Sequence, residues 1–316
     1  MRQMDPTDQR HRAIPTPYCN AYCLDDNLKQ RKGRSSFGYP SAAYQVTNRE
    51  DGQIYCLRRF DNVRSVSPKI AAAVTDRWHP QQNEGSSVQD HPGVVPFYKC
   101  FVSQRAVFFV HQYIPGARTL RERLNGILPE NVVWSVISQL VSAIRVIHAN
   151  NLAVRTLDMG HVLSTMDPHA SRLRVRLNCL GVTDTLEFET RKHVRDLQQQ
   201  DIRNLGWLIL SLASGTEVSV QSDAAAIQRC DSFVGQHYSR ELHNLVMTLI
   251  RNSPRPPTIV EIGGAIFRKA FDEQDAAYRS LDFNERLLSA EYDSSRALRL
   301  LLKLGFINVS RTNAAW

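Results

Sequence analysis

The stretch that most constrains this chain is residues 129–150, PENVVWSVISQLVSAIRVIHAN. Apolar residues recur at Val133, Val136, Ile137, Leu140, Ile144 and Ile147, which lays one broad apolar stripe along a long helix. Such a helix has to be covered by other elements, so the fold must be layered around it. The covering material is legible downstream. RLRVRLNCLGV (172–182) alternates like a strand, and DIRNLGWLILSLASG (201–215) reads as a helix buried on most sides. SRELHNLVMTLI (239–250) is a further helix ended by NSPRPP, and TIVEIGGAIFRKAF (258–271) follows.

Upstream the periodicity changes. AAYQVTNREDGQIYCLRRF (42–60) holds two β-prone runs around NREDG, a hairpin signature. SPKIAAAVTDRW (67–78) opens with Ser67 as N-cap and Pro68 in the first turn. QQNEGSSVQDHPG is a polar loop, and FYKCFVSQRAVFFVHQYI (97–114) supplies two more strands. Residues 37–114 are therefore expected to form a small antiparallel sheet with one helix, joined near Tyr113–Gly116 to a mostly helical lobe. The fold class expected is α+β, two lobes followed by a long C-terminal helix.

That last helix is read from residues 272–304, which contain no Pro. Leu281, Leu288 and Leu302 share one heptad register with Ser295, flanked by Leu287 and Leu301. The segment suits a helix that pairs with another, or one that packs on its own domain. Residues 1–34 are polar and basic and read as a flexible arm. Their opening, MRQMDPTDQRHR, has no apolar run of the secretory type, and no stretch of eighteen apolar residues suggests a membrane span. The six cysteines are scattered and read as reduced thiols of a cytosolic or nuclear protein. Cys19 and Cys23 near His11 are half a zinc site without a second pair, so no metal is expected. The net charge of +8 is compatible with a nucleic-acid partner and equally with an ordinary basic protein.

Several segments then fall in the order of a protein kinase. SFGYPSAA stands where the Gly-rich loop would lie and Tyr55-Cys56-Leu57-Arg58 where V-A-I-K would lie. HPGVV (91–95) and HQYIPGARTL (111–120) resemble the segment before the hinge and the hinge itself. VRTL (154–157) resembles H-R-D-L, Cys179-Leu180-Gly181 stands at D-F-G, Asp201 opens the buried helix, and SPRPPTIVEI (253–262) resembles the end of the fold. The chemistry does not follow the order. Phosphoryl transfer needs a positioned base, metal ligands and a phosphate-binding Lys. Here the Lys is Arg58, the base Asp is Thr156, the metal-binding Asn is His161 and the metal-binding Asp is Cys179. Of the loop glycines only Gly38 remains. No Glu in 68–78 can pair with Arg58. Asp158 lies past the base position and is expected to be a solvated turn residue. Asp184 is expected in a turn or helix cap.

The wording of FGYPSAAYQVT, VFFVHQYIPGARTL, LRVRLNCLGVTD and RLLSAEYDSSRALRLLLKLGFIN resembles the pseudokinase regulatory subunit of the PAN poly(A)-nuclease deadenylation complex. The resemblance covers about 36–308. It implies a pseudokinase domain over 35–271 (small lobe about 35–112, helical lobe about 117–271), a coiled-coil helix over 272–304, and in 305–316 the truncated start of a knob domain. It implies a non-catalytic scaffold that homodimerises through the C-terminal helix. The scaffold would recruit the catalytic exonuclease subunit and link it to poly(A)-binding protein and poly(A) RNA. The family acts in the cytoplasm and processing bodies, with the nucleus as an alternative. ATP is the cofactor implied, bound without phosphoryl transfer. Carried over by position, the nucleotide contacts fall on Arg58; on the hinge run Gln112, Tyr113, Ile114, Pro115, Gly116, Ala117, Arg118 and Thr119; and on Gly160 and His161. The family commonly has Asp at the position of Gln112, and a hydroxyl residue followed by Lys at those of Gly160 and His161. A Lys is a fixed cation, whereas His is mostly neutral at pH 7. A generic pseudokinase adaptor and an unconventional active kinase are the alternative functions.

Overall fold

The structure, a computed structural model, describes residues 14–24, 37–79, 87–103, 106–123, 126–167, 172–190, 192–251 and 256–313. The chain divides into two compact units, Met1–Ile266 and Phe267–Trp316.

The first unit opens with a five-stranded sheet of β1 (Tyr18–Cys23), β2 (Ser41–Asn48), β3 (Ile54–Asp61), β4 (Phe97–Ser103) and β5 (Ala106–Gln112), in the order β1-β2-β3-β5-β4. All its pairings are antiparallel. The β2–β3 hairpin turns through NREDG as its sequence suggests, with the Asn48 N–H on the Gln53 carbonyl and Gly52 at φ +69°. A positive φ is what Gly tolerates there. β5 is buried along most of its length because both of its faces are covered. Val107 and Phe109 join the main core, while Phe108 and Val110 join a second cluster with Tyr18, Ala21 and Leu57. Helix α1 (Pro68–Trp78) is capped by the Ser67 hydroxyl, which accepts from the Ile70 N–H, and it buries Ala71, Val74 and Trp78.

β1 corrects one expectation. The arm read as structureless over 1–34 contains this strand, and its Tyr18 and Ala21 cover the outer face of β5. Residues 1–13 and 25–36 lie outside the described residues, His11 and Ser36 among them.

The helical lobe begins with the short strand β6 (Arg118–Thr119) and α2 (Leu120–Arg123), then the long α3 (Glu130–Ala149). α3 is long and apolar enough by composition to cross a membrane, yet its stripe, from Val133 to Ile147, is buried in the core of the lobe. β7 (Val162–Asp167) and β8 (Arg172–Leu177) form a three-stranded sheet with β6. Four helices complete the lobe after α4 (Val182–Leu186): α5 (Val194–Ser214), α6 (Ala224–His237), α7 (Arg240–Ile250) and α8 (Ile259–Ala265). α5 starts well before Asp201, so that residue lies inside the helix and does not open it. Gly206 lets α5 approach α7 closely; a Cβ there would sit 2.8 Å from the Leu249 Cβ.

The second unit is one helix, α9 (Phe267–Asn313), 47 residues long and so about 70 Å. It begins before residue 272 and continues through residues 305–313, which the sequence reading gave to the start of a knob domain. Leu281, Leu288 and Leu302, the heptad leucines, are all more than half exposed.

Candidate functional site

The cleft is framed by the loop that leaves α3. Asp201, wholly buried in α5, accepts hydrogen bonds from the main-chain N–H of Val154 (2.7 Å) and of Arg155 (2.7 Å). His148 Nε2 lies 3.0 Å from the same carboxylate. Gln198 of α5 donates to the carbonyls of His148 and Leu152. These bonds satisfy buried main-chain groups that no helix or sheet serves, and they hold Arg155 at φ +61°.

Thr156 stands at the position of the catalytic base. It is buried, and its hydroxyl donates toward the carbonyls of Asn178 (3.1 Å) and Val154 (3.2 Å). A hydroxyl committed to two main-chain carbonyls inside the core cannot take a proton from a substrate alcohol. Cys179, at the position of the metal-binding Asp, is buried at φ +60°.

Asp158 and Asp184 have defined work. Asp158 Oδ1 accepts from the N–H groups of Gly160 (2.7 Å) and His161 (3.1 Å), and its Oδ2 lies 2.6 Å from His161 Nδ1. It is a turn residue, as expected, that also orients His161. Burial works to raise its carboxyl pKa, but the bond and charge of His161, the Gly160 N–H and the charge of Arg121 together hold it below the usual range. Asp184 is neither in a loop turn nor a cap, which corrects the sequence reading. It sits in α4, where Oδ2 accepts from Trp78 Nε1 (2.9 Å) and Oδ1 from Arg155 Nη1 (3.0 Å). Arg155 also pairs with Glu187.

The positions expected to hold nucleotide divide into three groups. Arg58 lies in β3 opposite Ala43 and Phe109. The hinge run starts at Gln112, the last residue of β5, whose N–H donates to the Pro96 carbonyl. It turns through Gly116 at φ +68° and ends at Arg118 and Thr119, paired with Ser164 and Leu163 of β7. Gly160 and His161 lie in the Asp158 turn that leads into β7. The Phe37 ring packs on the His161 ring at 4.7 Å and on Phe60 at 5.3 Å. At this position His161 is already bonded to Asp158 and covered by Phe37.

Three contributors escape sequence reading. The Arg121 guanidinium fills the space beside Gly160, 3.0 Å from where a Cβ would stand, and is paired with Glu217. His111 is buried on β5 with Nε2 3.1 Å from the Leu180 carbonyl, so that nitrogen carries the proton. Burial pushes its pKa down to about 4, with the charge of Arg58 adding to the effect against the opposing Leu180 bond. Phe37 is the third. Among the described residues, no group of three or more His, Cys, Asp or Glu is placed to hold a metal ion, and no disulfide joins any of the six cysteines.

No family model matches the chain. A PAN2-PAN3 deadenylation complex subunit pan3 of Dictyostelium discoideum is 30% identical over 318 residues, which is 96% of this chain and 40% of the relative. The Drosophila melanogaster PAN3 pseudokinase superposes with a TM-score of 0.79 at 26% identity, over 93% of this chain and 75% of that one. The Neurospora crassa PAN3 pseudokinase and C-terminal region, solved in complex with PAN2 (WD40-CS1), gives a TM-score of 0.82 at 25% identity, over 98% and 75%. The chain is of the PAN3 pseudokinase type. It spans about two fifths of the length of the curated relative it matches. A kinase-like fold of the PAN3 type is compatible with nucleotide binding.

Proposed function

We propose that this chain is a non-catalytic regulatory scaffold of a poly(A)-nuclease deadenylation complex. It recruits the exonuclease subunit to poly(A) tails for shortening and mRNA turnover. The observation that carries the proposal is the state of Thr156: the catalytic loop keeps its Asp201 frame, while the base position points into the core and bonds to main-chain carbonyls. A loop held in shape without its chemistry suits a binding surface. The second support is α9, whose exposed leucines need a cover that a second copy of the helix supplies, giving a homodimer.

The remaining partners of this reading are poly(A)-binding protein and poly(A) RNA, and its location is the cytoplasm, in processing bodies. ATP is held as structural support at Arg58, the Gln112–Thr119 hinge and the Gly160–His161 pair, without phosphoryl transfer. The kinase-like cleft supports that cofactor, and the Phe37–His161 contact implies that a bound nucleotide displaces Phe37. The experiment is capture of the exonuclease subunit by the chain with and without residues 272–316, in parallel with light scattering. Capture and dimer are expected to be lost together on deletion. A deleted chain that stays dimeric would remove α9 from the reading. A full chain that transfers phosphate from ATP, with Arg58→Ala abolishing it, would replace the scaffold by a kinase.

A further inference from the structure

β8 has two unlike faces. Its sequence, RLRVRL, puts Leu173, Val175 and Leu177 into the core. Gln139 of α3 clamps that side, donating to the Leu173 carbonyl (2.9 Å) and accepting from the Val175 N–H (2.9 Å). Strand alternation then sends Arg172, Arg174 and Arg176 to the other face, each about 7 Å from the next. The strand register names what stands beside them. Leu163 is opposite Arg176, Thr165 opposite Arg174, and Asp167 opposite Arg172, while Thr119 of β6 lies opposite Leu163. In that register Arg174 faces Thr165 and Arg176 faces Leu163.

Arg174 is exposed and Arg176 half-buried, and neither makes an ion pair among the described residues. Arg176 donates to Thr165 Oγ1 at 3.1 Å, which leaves most of its five donors for other use. Burial first, and then the charge of Arg174, pushes the Arg176 pKa down to about 10, so both guanidiniums are charged at neutral pH. Two like charges side by side on a small sheet destabilise each other until an anion sits between them. Their spacing resembles the step between successive phosphates of an extended strand, and the guanidinium fork suits phosphate oxygens.

We propose that Arg174 and Arg176 form a sequence-independent contact for the phosphodiester backbone of single-stranded RNA. This inference rests on the RNA partner of the function proposed above and gives that partner a surface. Because the contact is to phosphate, it tracks the strand and leaves base identity unread.

The test is fluorescence anisotropy of the full chain with a poly(A) oligonucleotide across a salt titration. Substituting both arginines by Gln (R174Q/R176Q) is expected to weaken binding about tenfold at low salt. It should also flatten the slope of log affinity against log salt by about 1.4, the share of two phosphates on a single strand. R174Q alone, at the exposed position, should take about half of that slope. R174K/R176K keeps the charge and should keep the slope. Unchanged affinity and slope in R174Q/R176Q, with the wild-type chain still binding, would overturn the inference and leave the RNA partner standing. No binding by the wild-type chain at any salt would remove the RNA partner and the inference together. Equal loss in the Lys and Gln pairs would trace the effect to the shape of the sheet and overturn the charge contact. A loss of exonuclease capture with RNA binding intact would give the face to an acidic protein surface instead.

Discussion

Arg155 and Thr156 are neighbours in the chain and are held in opposite ways. The N–H of Arg155, like that of Val154, is gripped by a fully buried carboxylate on another helix. Thr156 meets only carbonyl oxygens, to which its own hydroxyl donates. The first arrangement fixes the path of the main chain and the second fills a place where a kinase keeps a reactive group. The difference teaches that the shape of a catalytic loop does not depend on its chemistry. Asp201, His148 and Gln198 set the path from behind, and the front can lose its carboxylate without disturbing them.

The most damaging way to break the contrast is Asp201→Ala. Two main-chain N–H groups and His148 would lose their acceptor at once. The expected cost is about 3–5 kcal/mol of unfolding free energy, read by urea titration. A loss under about 1 kcal/mol would mean that the frame does not hold the loop.

A smaller effect should come from acid. The pKa of His111 in the folded chain is about 4, below the ordinary histidine value of 6.5. A depressed value means that the unfolded chain takes up a proton first as pH falls. The stability that His111 allows is therefore complete above about pH 6.5 and is lost progressively toward pH 4, by about 3 kcal/mol in all. His111→Gln can keep a donor to the Leu180 carbonyl and should flatten that part of the pH profile of thermal unfolding. An unaltered profile would assign the acid sensitivity elsewhere.

Thr156→Asp sharpens the contrast from the front. A carboxyl there would be buried against the Asn178 and Val154 carbonyls, both acceptors, and would stay protonated to donate to one of them. A cost of about 1–3 kcal/mol is expected, with no ATP-dependent phosphorylation gained. A stable variant that acquires transfer activity would show that only the one residue stood between this loop and catalysis.

The sequence made the order of elements readable because each announces itself locally. The stripe of α3, the NREDG turn and the Ser67–Pro68 start are patterns within a few residues. β1 was hidden for a physical reason. YCNAYC carries a bulge between Cys19 and Tyr22, with Asn20 at φ +51°, so its buried residues, Tyr18 and Ala21, fall out of strand alternation. The positions of Thr156, His161 and Cys179 followed from motif order. Their partners did not. Asp184 reaches Trp78 across 106 residues, and Arg121 stands beside Gly160 because a glycine leaves it room. Such pairings depend on where the fold brings distant segments, which no local pattern contains. His111 reads as the junction of a strand-like run and the hinge-like HQYIPGARTL, and only the covering of β5 on both faces makes its burial complete.

The tie between Arg155, Asp184 and Glu187 has a consequence for control. Ordering a loop by phosphorylation relies on an arginine with open valences, waiting for a phosphate to arrive. Here that arginine is spoken for by two carboxylates, and one of them is anchored to Trp78 of α1. The small lobe and the loop are thereby buckled together through an indole, a carboxylate and a guanidinium. An added phosphate would find its seat taken and two negative charges beside it. The molecule keeps the joint of a switch, fastened in a single setting.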